Sequence, residues 1–162
     1  MNHLNERKMN KTINEFLESK DIAIAGVSPK KGNWGMVLVK ELLKKGYKVY
    51  PLNPMHDEID GIKIFPTVSD LPPEVESLIL AVNPERAREI ISQSANSSIK
   101  RIWMQQGVGQ GAYSEEGVEL AQQNNIDCVH GFCPMMFFGG GLHKFHYWMR
   151  TNFGKTPVEF AR

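Results

Sequence analysis

The stretch Gly26-Val27-Ser28-Pro29-Lys30-Lys31-Gly32-Asn33-Trp34-Gly35 combines residue types that a bound phosphate needs. Glycines let backbone approach a ligand closely, and N–H groups at the start of a helix attract anions. Ser28 offers a hydroxyl donor, and Lys30 and Lys31 add positive charge. The spacing is not the dinucleotide fingerprint G-x-G-x-x-G, because Ser28 stands where the second glycine belongs and Gly35 comes late. Nor is it a P-loop, since no Gly-Lys-Ser/Thr opens the following helix. The bland alternative is a plain glycine-rich connection carrying two solvated lysines.

Two further constellations bear on chemistry. The segment Leu52-Asn53-Pro54 closes an apolar run without the Asp or Glu that NAD-binding sheets usually place at the end of their second strand. An acid there would repel a 3′-phosphorylated ribose, so its absence beside two lysines favours such a ligand and makes NAD(P) the runner-up. Separately, Cys128, His130, Cys133, His143 and His146 fall close together in sequence. Thiolate and imidazole suit zinc, and His130 with Cys133 are the candidates for nucleophilic chemistry near a strand end. The spacing of Cys128 and Cys133 is not that of a zinc ribbon, and Cys133 in its ordinary role is a small apolar filler before Pro134.

These residues need elements to hold them. Met9, Ile13, Phe16 and Leu17 recur at helical spacing and predict an amphipathic helix within residues 1–20. Asp21 introduces Ile22-Ala23-Ile24-Ala25-Gly26-Val27, a continuous apolar run of the kind buried on both faces of a parallel sheet. A helix from about Met36 carries Val37, Leu38, Leu42 and Leu43 and stops at Lys44-Lys45-Gly46, with cations in the last turn and a glycine beyond it. Further strands are expected at Tyr47–Leu52, Ile62–Phe65, Leu78–Val82, Ile102–Met104 and Ile126–Val129. Between them lie a helix opened by Asn83-Pro84-Glu85 and another capped by Ser114. Strands alternating with helices predict a doubly wound α/β domain with a mainly parallel sheet of five to six strands. In such sheets the ligand lies beyond the carboxyl ends of the strands, where the strand order reverses.

The 162 residues suit one domain, and 41% of them are hydrophobic, enough for a core. Nineteen Lys and Arg against 18 Asp and Glu leave a formal charge of +1, without the basic field that drives sequence-independent binding to nucleic acid. The residues before the first strand are too few for a winged helix. Two cysteines make no disulfide scaffold. The N-terminus lacks the apolar centre of a signal peptide, and no apolar stretch approaches the ~20 residues that span a bilayer. A cytoplasmic protein without membrane attachment is the expectation.

Several pieces occur together in order: Ile24-Ala25-Gly26-Val27-Ser28, Gly46-Tyr47-x-Val49-x-Pro51-x-Asn53-Pro54, and Gly61-Ile62-Lys63-Ile64-Phe65-Pro66 followed by Asp70-Leu71-Pro72. Trp103-Met104-Gln105-Gln106-Gly107 and Cys133-Pro134 complete the series. In these the chain resembles the small stand-alone CoA-binding proteins related to the N-terminal domain of the succinyl-CoA synthetase alpha subunit, over roughly residues 13–134. The resemblance implies a Rossmann-like fold binding coenzyme A or an acyl-CoA across the strand ends. Gly26, Ser28 and the loop of Lys30, Lys31, Gly32, Asn33, Trp34 and Gly35 would then cradle phosphates. Asn53 and Pro54 would lie beside the nucleotide, Val82, Asn83 and Pro84 would line the ligand path, and Gln105 and Gly107 would flank its far end. Two residues depart from the family's habit: Gln106 stands where Pro is common, and Asn83 where an apolar residue or Pro is. The synthetase's phosphohistidine belongs to a second domain with no counterpart in residues 21–134, so the resemblance implies binding without catalysis. The alternatives are a small NAD(P)-binding oxidoreductase and a metal or thiol-redox protein using Cys128, His130 and Cys133. Residues 135–162, rich in Met, Phe, Tyr and Trp, are expected to pack on the core or to form the interface of a homodimer.

Overall fold

Five parallel strands in the order β2-β1-β5-β6-β7 form the central sheet: β1 (Asp21–Ala25), β2 (Lys48–Leu52), β5 (Ser77–Leu80), β6 (Arg101–Met104) and β7 (Asp127–Val129). The computed structural model describes residues 3–107 and 110–138. Strands pointing the same way need crossovers, and helices supply most of them: α2 (Trp34–Lys44) between β1 and β2, α3 (Pro84–Ser94) between β5 and β6, and α4 (Glu115–Gln123) between β6 and β7. From β1 the chain first moves outward to β2, then returns past β1 to β5. The order therefore reverses between β1 and β5, which makes this the switch point of a doubly wound sheet.

Alternation along each strand sorts the core into two layers. Ile22, Ile24, Ile79, Trp103 and Val129 point to one face, where α1 (His3–Glu18) and α2 cover them with Met9, Ile13, Phe16, Leu38, Val39 and Leu42. Ala23, Ala25, Leu78, Leu80, Ile102 and Met104 point to the other, against Ala87, Ile90 and Ile91 of α3 and Ala121 of α4. Trp103 anchors the first layer: it is wholly buried, meets Phe16 edge-on at 5.4 Å, and donates from Nε1 to the Phe132 carbonyl at 3.0 Å. The short helix α5 (Met135–Phe138) returns to this layer, with Phe138 5.3 Å from Tyr47 and 6.1 Å from Trp103 between ring centres. The expected tail contacts of Phe145, Tyr147, Trp148 and Phe153 lie outside the described residues.

Helix boundaries follow local chemistry. Asn33, Asn83 and Ser114 each accept a hydrogen bond from a backbone N–H of the following turn, relieving donors that the helix itself cannot satisfy. The cap at Asn33 starts α2 at Trp34, two residues earlier than the apolar periodicity indicates.

One expected strand is corrected. Ile62–Phe65 does not add a sixth strand to the sheet. Glu58–Ile59 (β3) and Ile62–Lys63 (β4) instead form a small antiparallel hairpin turned by Asp60 and Gly61, both at positive φ. A two-residue Asp-Gly turn matches the twist of such a hairpin. Only Phe65 reaches the main sheet, through a single parallel bridge to Leu52. A 3₁₀ turn (Val68–Asp70) then leads toward β5. Among the described residues no helix is long and apolar enough to cross a membrane.

Candidate functional site

At the switch point three backbone segments meet with almost no side chain between them. Gly26, just past β1, has φ +96, and a Cβ built there would lie 2.1 Å from the carbonyl oxygen of Ala81, past β5. Gly35, in the first turn of α2, would place a Cβ 2.5 Å from the carbonyl oxygen of Gly26. Only glycine fits either position. Bare backbone thus lies where a ligand's phosphates would approach the start of α2, whose first turn carries no acidic residue.

Asn33 organises the loop. Its Oδ1 accepts from Met36 N at 2.8 Å and Ser28 N at 3.1 Å, while Nδ2 donates to the Gly26 carbonyl at 3.0 Å. Asn53 does the same between strands, donating to the Val27 carbonyl at 2.6 Å and accepting from Met55 N at 2.8 Å. Both amides are therefore committed to shaping the loops. Asn83 caps α3 by accepting from Arg86 N, and Pro84 fills the first helical position, where its missing N–H costs nothing. Trp34 packs its indole against the first core layer, where Nε1 is buried and finds no hydrogen-bond partner among the described residues.

A cleft of about 410 Å³ opens beyond the ends of β1, β2 and β5. Of the expected site residues it gathers Gly26, Asn53, Pro54 and Val82. Its other walls are Ala25, Leu52, Met55, Pro66, Thr67, Val68, Arg86, Ile90 and Gln93, with no carboxylate among them. Ser28, Lys30, Lys31, Gly32 and Asn33 line a separate hollow of about 240 Å³ on the α2 side, where Lys40 pairs with Asp60 at 2.7 Å. Gln105 and Gly107 lie past the end of β6 and border neither cavity; the Gln105 backbone is tied to Leu80 and Ala112. Sequence reasoning missed Arg86 and Gln93. Their signal was the apolar stripe of α3: both flank Ala87, Ile90 and Ile91, the side chains that press on the sheet.

The cysteine and histidine residues occupy a different place. Cys128 and His130 line a hollow of about 270 Å³ at the β7 edge, with Lys8, Met9, Val118, Gln122 and Ile126. Burial pushes the Cys128 thiol up to about 12, with the Asp127 charge adding to the shift. Burial holds His130 below its ordinary 6.5, and its ring lies 5.1 Å from that of Tyr113. A thiol held protonated is the reverse of an activated nucleophile, whose pKa is depressed. Cys133, the expected nucleophile candidate, does not line this hollow but is half-buried against the first core layer. Among the described residues no three His, Cys, Asp or Glu side chains converge on a metal-sized point. His143 and His146 lie outside those residues.

Known proteins are similar to this chain in sequence and in fold. The sequence pattern of the CoA binding domain family matches residues 20–138. The chain is similar to the ADP-forming acetate–CoA ligase II of Archaeoglobus fulgidus, with 28% identity over 122 residues, 70% of this chain but 18% of that enzyme. It is also similar to the solved structure of a hypothetical protein from Pyrococcus horikoshii, at 33% identity and a TM-score of 0.69, over 78% of this chain and 87% of the other. A third likeness is to a dinucleotide-forming acetyl-coenzyme A synthetase from Ca. Korarchaeum cryptofilum, solved with phosphate and ADP. There the identity is 27% and the TM-score 0.60, over 68% of this chain and 25% of that one. The chain spans less than a third of the length of both the ligase and the synthetase, and over that span it belongs to the CoA-binding domain family.

Proposed function

We propose that the protein binds coenzyme A, free or acylated, along the carboxyl ends of β1, β2 and β5, and holds it without transforming it. The observation that carries this reading is the cleft at the strand-order reversal, edged by the bare backbone of Gly26 and free of carboxylates. Its volume lies within the ordinary range for small-molecule sites. Lys30 and Lys31 stand exposed around the hollow on the α2 side of Gly26, where a pyrophosphate passing over Gly26 toward the start of α2 would meet them. The carboxylate that would recognise the ribose of NAD is replaced by Asn53, whose amide is already occupied. The non-catalytic part of this reading is supported by Cys128, whose buried thiol at the far edge of the sheet is pushed up rather than activated.

Titration calorimetry with CoA, acetyl-CoA and NADH tests the proposal. Saturable binding of CoA and acetyl-CoA that weakens with salt is expected, because exposed lysines are screened. Binding of NADH in preference to CoA would overturn it. So would release of free thiol from acetyl-CoA during incubation, at least for the non-catalytic part.

A further inference from the structure

We infer that α3, through Arg86, Ile90 and Gln93, reads the 3′-phosphoadenosine end of the ligand, and that Arg86 rather than the lysine pair recognises its 3′-phosphate. This rests on the proposed binding of coenzyme A. The three residues are spaced four and then three apart, so they form one stripe along the helix, and all three line the cleft. From Arg86 to Gln93 the helix rises about 10 Å. The stripe begins with a cation, continues with an apolar side chain and ends with an amide that both donates and accepts. A phosphate, the flat face of a purine and its hydrogen-bonding edge are met in that order.

Arg86 is the one charged residue among those lining the cleft. Its Nη1 donates to Glu89 on the same helix, and among the described residues its Nε and Nη2 have no acceptor. A guanidinium carries five donors in a fixed fork suited to phosphate, so a second acceptor can bind while the Glu89 contact persists. Lys30 and Lys31 lie instead around the separate hollow at the start of α2. The pyrophosphate falls to them and the 3′-phosphate to Arg86.

The experiment measures dissociation constants of CoA, dephospho-CoA and 4′-phosphopantetheine for the wild type, R86M, E89Q, Q93L and the K30A/K31A double variant. R86M is expected to weaken CoA by roughly 10–100-fold while sparing dephospho-CoA, erasing the wild-type preference. E89Q keeps that preference. Q93L weakens CoA and dephospho-CoA by the same factor and leaves phosphopantetheine unchanged. K30A/K31A weakens CoA and dephospho-CoA alike. Thermal unfolding of each variant reports on the fold, and Arg86 retains 41% of its side-chain exposure, so its replacement leaves the core intact. An R86M protein that keeps the wild-type ratio of CoA to dephospho-CoA would overturn the assignment while leaving CoA binding in place. A wild type that binds no CoA would overturn both.

Discussion

Asn33 is the residue through which the loop can be tested most directly. Asn33→Ala removes three hydrogen bonds at once: the cap on Met36 N, the bond from Ser28 N, and the donation to the Gly26 carbonyl. A lost Asn cap costs about 1 kcal/mol, and two further part-buried bonds add roughly 1 kcal/mol each, for a total near 3 kcal/mol. For a domain of this size that lowers the unfolding midpoint by roughly 6–12 °C. Asn33→Asp separates stability from binding. It keeps the acceptor for Met36 and Ser28 and places a favourable negative charge at the start of α2, but turns a second acceptor toward the Gly26 carbonyl, so its stability falls by about 1–2 kcal/mol, less than in Asn33→Ala. The same charge stands where the ligand's phosphates are expected, and CoA affinity drops. Urea unfolding and calorimetry on both variants give the two readouts. If Asn33→Ala unfolds within about 0.5 kcal/mol of the wild type, the amide does not hold the loop and the reasoning fails.

Other outcomes follow from buried groups and exposed charges. Raising the Cys128 thiol from its ordinary 9.0 to about 12 leaves roughly one-thousandth of the usual thiolate at pH 8. Iodoacetamide should therefore label Cys128 far more slowly in native protein than in urea, as read by peptide mass spectrometry; equal rates refute the burial. His130 is held neutral in the fold but takes a proton more readily when unfolded. Native stability should then decline as pH falls below about 6.5, more steeply in the wild type than in His130→Gln, by urea titration at paired pH values. Replacing Lys30 and Lys31 by alanine should flatten the salt dependence of CoA affinity, since both are exposed and act through a screened field.

The sheet was legible because its strands announce themselves twice. Ile22–Ala25 and Leu78–Leu80 are apolar without a gap, and Asn83 and Ser114 mark the helices beside them with side chains suited to capping. The hairpin at residues 58–63 was misread because Ile62–Phe65 has the composition of a strand. The Asp60-Gly61 turn before it, which reverses the chain, was the overlooked cue. Within the site, the glycines point to a ligand from sequence alone, whereas the duty of an asparagine does not. Asn53 lines the cleft and Asn33 the separate hollow, both with their amides turned to backbone, a distinction that only geometry makes. Arg86 and Gln93 were hidden for another reason. Which flank of α3 overhangs the ligand depends on how the helix is rotated about its axis on the sheet, and the apolar stripe narrows that rotation without assigning either edge to the cleft.

The contact of Gly26 with Ala81 and of Gly35 with Gly26 separates the parts of the protein that can vary from those that cannot. Both glycines meet backbone at this junction, so changes in surrounding side chains cannot make room for a Cβ, and the close packing of main chain on main chain sets the distance between sheet and loop. The side chains that would choose among ligands stand elsewhere, on one flank of α3 and in the exposed lysine pair. Selectivity can therefore be rewritten, by drift or by design, at Arg86, Gln93, Lys30 or Lys31 while the frame that presents the ligand stays the same.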